Sequence, residues 1–163
     1  MKCPLTFLVA EDNQINRTLL VSMLGKFGYK NILEAHDGAE AVRKMSVAHA
    51  RHEHVDVVLM DLWMPLMDGF EATERILGME PWDPTIDGTD EGKRSNGFRG
   101  KPTVLAVTAD VTDGAVERAA KVGMKGFMSK PYKLHDLQRL IKEYCASSKP
   151  ETNVAVLPPT VTV

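Results

Sequence analysis

A chain of 163 residues is long enough for one domain with a packed core and a tail. Its 44% hydrophobic and 26% charged residues exclude a disordered or fibrous protein. The formal net charge of −2 leaves no basic footprint for nucleic acid or an anionic membrane, and no apolar stretch reaches the roughly 20 residues of a spanning helix.

Thr6 to Ala10 (TFLVA) is an apolar run of strand length. Ile15 to Phe27 changes to helical spacing, with Ile15, Leu19, Leu20, Met23, Leu24 and Phe27 on one stripe. Asn13 is placed to cap that helix and Gly28 to stop it. Asn31 to Ala35 (NILEA) predicts a second strand, and Ala39 to Val47 a second helix after the Asp37–Gly38 break. Val55 to Met60 (VDVVLM) is apolar almost throughout and β-branched, as a strand covered on both faces should be. Gly69 to Leu77 predicts a third helix, Thr103 to Val107 (TVLAV) a fourth strand, and Gly114 to Val122 an Ala-rich helix. Gly126 to Ser129 (GFMS) predicts a short fifth strand. Leu134 to Tyr144 predicts a fifth helix, with Leu134, Leu137, Leu140, Ile141 and Tyr144 at core spacing.

Five strands alternating with five helices predict an α/β fold: a single doubly wound parallel sheet with helices on both faces. In such sheets the functional crevice lies outside the C-terminal ends of the strands, where the strand order switches. Glu80 to Lys101 is rich in Gly, Pro and Asp and has no period, so it predicts a long surface loop (80–102) inside a domain running from 4 to 146. Residues 147–163 predict a flexible tail, and the paired prolines in its VAVLPPTVTV end oppose addition to a sheet edge. The N-terminal MKCPLTFLVAEDN runs into charge without a signal-peptide pattern. Cys3 and Cys145 make neither a disulfide framework nor a metal spacing, so a reducing cytoplasmic or nuclear compartment is expected. His49, His52, Glu53 and His54 match no closed zinc spacing and read as a solvated helix end and loop.

The strand ends carry the chemistry. The first strand runs into Glu11-Asp12, the third into Asp61, the fourth into Thr108-Ala109 and the fifth into Lys130-Pro131. In a parallel sheet all of these meet at one edge. Clustered carboxylates repel and raise one another's pKa, which a divalent cation relieves. Hard oxygen ligands with room for water suit Mg²⁺. Asp61 is then a carboxylate nucleophile able to accept a phosphoryl group. Lys130 offers a point charge, and Thr108 a hydrogen bond, to phosphoryl oxygens.

The motifs LVAEDNQINR (Leu8 to Arg17), VVLMDLWMPLMDG (Val57 to Gly69), VLAVTAD (Val104 to Asp110) and GMKGFMSKPY (Gly123 to Tyr132) stand in that order. With them the chain resembles the receiver (response-regulator) domains of two-component phosphorelay signalling, most closely those of fungal hybrid histidine kinases. The resemblance covers about Pro4 to Cys145 and implies the flavodoxin-like strand order 2-1-3-4-5. It implies that Asp61 is the phosphoacceptor, and that Glu11 and Asp12 hold Mg²⁺, Asp12 the more directly. Mn²⁺ is expected to substitute. It further implies that the backbone carbonyl of Trp63 completes the metal shell and that Thr108 is the switch hydroxyl. Ala109 is the small residue that leaves room for the phosphoryl group, Lys130 the phosphate-pairing lysine and Phe127 the switch aromatic. A cis Lys130–Pro131 bond is expected. Trp63, as a shield, and Asp110, as a group orienting water, bear on phosphoryl lifetime in opposite directions.

The expected partner is a phosphohistidine donor, either a histidine kinase or a histidine phosphotransfer protein, docking near Ile15 and Leu19 on the first helix. The expected output surface is the face of the fourth and fifth helices and fifth strand, Ala115 to Tyr144. A monomer or weak dimer without nucleic-acid or membrane contact is expected. No ATP-binding motif is present, so any kinase activity lies outside this chain. Two rivals are weighed. An aspartate-based phosphohydrolase typically has a second Asp two residues after the nucleophile, where this chain has Trp63. A pseudo-receiver that no longer accepts phosphate is opposed by the intact Asp12, Asp61, Thr108 and Lys130.

Overall fold

The computed structural model describes residues 5–79, 82 and 100–145. The elements alternate as β1 (Thr6–Ala10), α1 (Gln14–Lys26), β2 (Asn31–Ala35), α2 (Gly38–Ala50), β3 (Val57–Met60), α3 (Gly69–Leu77), β4 (Thr103–Thr108), α4 (Asp113–Lys121), β5 (Gly126–Ser129) and α5 (Leu134–Cys145). The strands form one parallel sheet, as their alternation with helices predicts, in the order β2-β1-β3-β4-β5 that the family resemblance implies. Cys3, the tail 147–163 and most of the segment 80–101 lie outside the described residues.

The central strands alternate their side chains between two cores, as a strand's period of two requires. Leu8, Ala10, Val58, Met60, Val104 and Ala106 pack under α2, α3 and α4 through residues such as Met45, Phe70, Ile76 and Ala119. Phe7, Val9, Val57, Leu59, Leu105 and Val107 pack under α1 and α5, where Leu20, Leu24, Leu137 and Ile141 meet them. Burying a Leu or Phe contributes roughly 1.5–3 kcal/mol, so these two layers hold the sheet rigid beneath its loops.

The helices begin at the C-terminal edge of the sheet, and α1 to α4 each carry a side-chain cap. Asn13 accepts from Asn16 N–H at 3.0 Å, Asp37 from Glu40 N–H at 2.7 Å, Asp68 from Glu71 N–H at 2.9 Å and Thr112 from Ala115 N–H at 3.3 Å. The helices then run back, so α3 ends, and β4 begins, at the opposite edge.

Several sequence expectations need correction. β3 begins at Val57 rather than Val55, because Asp56 turns its carboxylate to Thr6 N–H (2.8 Å) and His54 (3.0 Å) and closes that edge. The stripe on α1 is narrower than its spacing suggests: Leu20, Met23 and Leu24 are buried, whereas Ile15 is 79% and Leu19 40% exposed. The histidine tract is not simply solvated, since His54 pairs with Asp56 and His49 lies against Trp82 with ring centroids 4.4 Å apart.

Candidate functional site

The sheet's hydrogen-bond ladder continues one residue past three strands, and those residues are functional candidates. Glu11 N–H donates to Ala35 O (3.0 Å), Asp61 N–H to Ala10 O (3.0 Å) and Lys130 N–H to Thr108 O (2.8 Å). Their side chains are thus set on rigid backbone at the crevice edge. Ala10 pairs with Met60, so Glu11 and Asp61 stand side by side. Both are buried, and Asp12 beside them is exposed.

Lys130 joins the two buried carboxylates, with Nζ 3.0 Å from Glu11 Oε1 and 3.3 Å from Asp61 Oδ2. The Tyr132 hydroxyl donates to the same Glu11 Oε1 at 2.7 Å, and Asn13 N–H donates to Oε2 at 3.1 Å. Burial favours the neutral form of Glu11, but the bonds from Tyr132, Lys130 and Asn13 outweigh it and hold its carboxyl below the ordinary range. Asp61 has fewer donors. Burial, and then the neighbouring Glu11 charge, push it up to about 7 against the pull of Lys130. Burial disfavours the Lys130 charge, yet the Glu11 hydrogen bond and the Asp61 charge prevail and raise its pKa.

One oxygen from each of Glu11, Asp12 and Asp61 lies within 4.8 Å of the others, the one such group of three among the described residues. An all-carboxylate donor set fits a hard cation such as Mg²⁺ and disfavours zinc, which prefers nitrogen and sulfur.

The other side chains ring this centre. Thr108 is buried, and its Oγ1 accepts from Asp110 N–H at 3.2 Å. Ala109 is exposed at the rim. Trp63 N–H points at Asp61 Oδ1 over 3.4 Å, and its indole Nε1–H donates to Asp110 Oδ2 at 2.9 Å. The indole stands edge-on to Phe70, with centroids 5.4 Å apart, and the Arg118 guanidinium lies 4.0 Å over the Phe70 ring. The Lys130–Pro131 peptide bond is cis. Phe127 is half-buried and borders a cleft lined by Val111, Met128, Asp136, Arg139 and Leu140.

The family profile described as response regulator receiver domain matches residues 7–96. The chain belongs to this family. Among curated relatives, this receiver domain is 31% identical over 146 residues to the osmosensing histidine protein kinase SLN1 of Saccharomyces cerevisiae, covering 90% of this chain and 10% of that protein. It is 34% identical over 140 residues to histidine kinase 3 of Arabidopsis thaliana, covering 84% and 13% respectively. The chain therefore spans only a small part of the curated relatives' length. Among solved structures, the receiver domain of sensor histidine kinase PA1611 from Pseudomonas aeruginosa, with a magnesium ion coordinated in its active-site cleft, matches at TM-score 0.68 and 29% identity over 89% of this chain and 100% of that one. The receiver domain of Ssk1, crystallised with the histidine phosphotransfer protein Ypd1 of S. cerevisiae, matches at TM-score 0.67 and 25% identity, covering 88% and 90%.

Two residues of this receiver's site escape sequence reasoning. Tyr132 lies in the fourth motif, and its spacing from Lys130 hints that both could face one side of an extended segment. Its partner Glu11 is 121 residues away, which no local pattern reveals. Arg17 ends the first motif; its Nη1 donates to Glu11 O at 2.8 Å and its Nε pairs with Glu34 at 3.2 Å, fixing the turn that carries the acidic pair. No helix of the described residues is long and apolar enough to cross a membrane.

Proposed function

We propose that Asp61 accepts a phosphoryl group from a phosphohistidine in a His-to-Asp phosphorelay. The observation that supports this most is Lys130 Nζ within reach of both Glu11 and Asp61, with Asp12 beside them. An Asp61 carboxylate oxygen attacks phosphorus in line. The P–N bond to the donor imidazole breaks as the P–O bond forms, and the bonding pair stays on the imidazole nitrogen. A proton on the ring's other nitrogen makes the leaving group neutral.

Asp12, Glu11, Asp61 and the Trp63 carbonyl are the residues that would hold Mg²⁺, or Mn²⁺ in its place. When bound, the cation neutralises charge on the phosphoryl oxygens. Lys130 turns from the carboxylates to one phosphoryl oxygen, and the Thr108 hydroxyl donates to another. Ala109 presents no bulk at the rim. The Thr108 shift repacks Phe127, so the α4-β5-α5 face, Ala115 to Tyr144, reports the phosphorylated state.

The donor docks across the crevice mouth, where Ile15, Leu19, Trp63 and Leu66 are exposed apolar groups. A phosphotransfer protein or the histidine kinase itself fits this role. The domain is assigned to 4–146, as the receiver part of a hybrid histidine kinase or a related regulator acting on the cytoplasmic side. Intact-mass measurement with Mg²⁺ and phosphoramidate tests the reading. The wild type takes one phosphoryl group and Asp61→Asn takes none. Repeated release of phosphate without a stable adduct points instead to a hydrolase, and an unmodified wild type to a pseudo-receiver.

A further inference from the structure

The Tyr132 ring packs in the core beneath α1 and α5, while its hydroxyl reaches a buried carboxylate at the heart of the site. Glu11 is fully buried, and its Oε1 has two donors: the charged Lys130, on a long unbranched side chain, and the neutral Tyr132, whose ring is packed in the core. Asn13 N–H occupies Oε2. Resting on the phosphoacceptor reading above, we propose that Tyr132 is a positioning residue for phosphoryl transfer, keeping Glu11 hydrogen-bonded and in place when Lys130 leaves it for the phosphoryl oxygens.

The phosphoryl group on Asp61 presents three acceptor oxygens beside Nζ, so Lys130 must redirect donors that now serve Glu11. If Lys130 were the sole protein donor to Oε1, its departure would leave that buried oxygen with no protein hydrogen bond to fix it beside the cation site. That state is costly. Glu11 would hold Lys130 back, or swing toward the phosphoryl group and repel it. The Tyr132 hydroxyl removes both outcomes. It carries no charge, and its packed ring cannot follow the phosphoryl group. A phenylalanine would fill the same space without donating.

Tyr132→Phe in the full chain tests this, with phosphoramidate and saturating Mg²⁺ and the rate followed by intact mass over a range of donor concentrations. A lost hydrogen bond to a charged group predicts a limiting rate about tenfold to a hundredfold lower. The half-saturating donor concentration stays unchanged, because the defect arises as Lys130 moves and not as the donor binds. Circular dichroism and thermal melting confirm that the variant is folded. A limiting rate equal to wild type overturns the inference, as does a change confined to half-saturation. A wild type that takes no phosphoryl group defeats the phosphoacceptor reading and this inference with it, whereas a normal wild type with an unaffected variant defeats the inference alone.

Discussion

The indole N–H of Trp63 donates to the carboxylate of Asp110 across 2.9 Å and 47 residues of sequence, tying the loop after β3 to the loop after β4. Asp110 Oδ1 meanwhile accepts from Thr112 N–H at 3.1 Å and Thr112 Oγ1 at 2.8 Å. These bonds, those from Thr112 first and that from Trp63 after them, hold the Asp110 carboxyl below its ordinary range. Both oxygens are thus committed, so the opposing influences on phosphoryl lifetime expected of Trp63 and Asp110 merge into one structural unit.

If the pair covers the acyl phosphate as a unit, breaking it from either side shortens the phosphorylated lifetime. Trp63→Phe and Asp110→Ala each accelerate decay of the phosphorylated form, and the double variant decays no faster than the quicker single one. Decay followed by intact mass after donor removal checks this. Multiplied effects would mean that the two residues act separately.

The raised Asp61 carboxyl makes cation binding pH-dependent. Near and below pH 7 a growing fraction of Asp61 is protonated, and a cation must displace that proton. Apparent Mg²⁺ affinity should fall about tenfold per pH unit below 7 and level off above it. Trp63 fluorescence titrations on either side of neutrality measure this.

The same shift has a stability consequence. Asp61 is raised from its ordinary 3.8 to about 7, so the folded state binds this proton more tightly than the unfolded state does. The resulting stabilisation is fully present below pH 3.8 and is lost as pH rises through 7. Metal-free Asp61→Asn should therefore melt higher than wild type above neutrality, and the gap should narrow as pH falls. For a chain of this size each kcal/mol gained shifts the melting temperature by about 2–4 °C. Paired thermal melts in a chelator decide it.

Gly69 is a place where only hydrogen fits. A Cβ there would lie 2.1 Å from Asp61 O and 2.9 Å from Leu62 Cα, and neither backbone atom can yield cheaply. Gly69→Ala should destabilise the fold by about 2 kcal/mol or more and slow phosphorylation by displacing Asp61. Gly25, in α1, meets nothing within 4 Å, so Gly25→Ala should stabilise by about 0.5–1 kcal/mol. Chemical denaturation of both variants gives the contrast.

Leu66 has φ +70° and is 88% exposed, an unfavourable conformation for a side chain that gains nothing by burial. Leu66→Gly should stabilise the isolated domain by about 1 kcal/mol. If Leu66 meets the donor, the same change weakens docking. Denaturation and phosphotransfer kinetics with a phosphorylated partner separate the two effects.

The strands were legible because buried parallel strands are short apolar runs, and the candidate site because each run stops at a polar residue. Asp61 needed only its place after VVLM. Spacing failed where a helix outruns its sheet: Ile15 and Leu19 obey the α1 period but sit on an outward face. It failed again where two residues meet only through the fold, as Tyr132 and Glu11 or Trp63 and Asp110 do. The extent of α2 was underestimated because Ala48 to Ala50 carry little periodic signal of their own.

Because α3 ends, and β4 begins, at the edge away from the crevice, the connection between them joins the domain at the pole opposite its chemistry. Sequence added or exchanged there is joined to the fold at two described ends that both lie away from Asp61. A reporter grafted between residues 83 and 99 should leave transfer to Asp61 at its native rate. That pole is open to acquiring a tether or an address, while the other keeps the reaction.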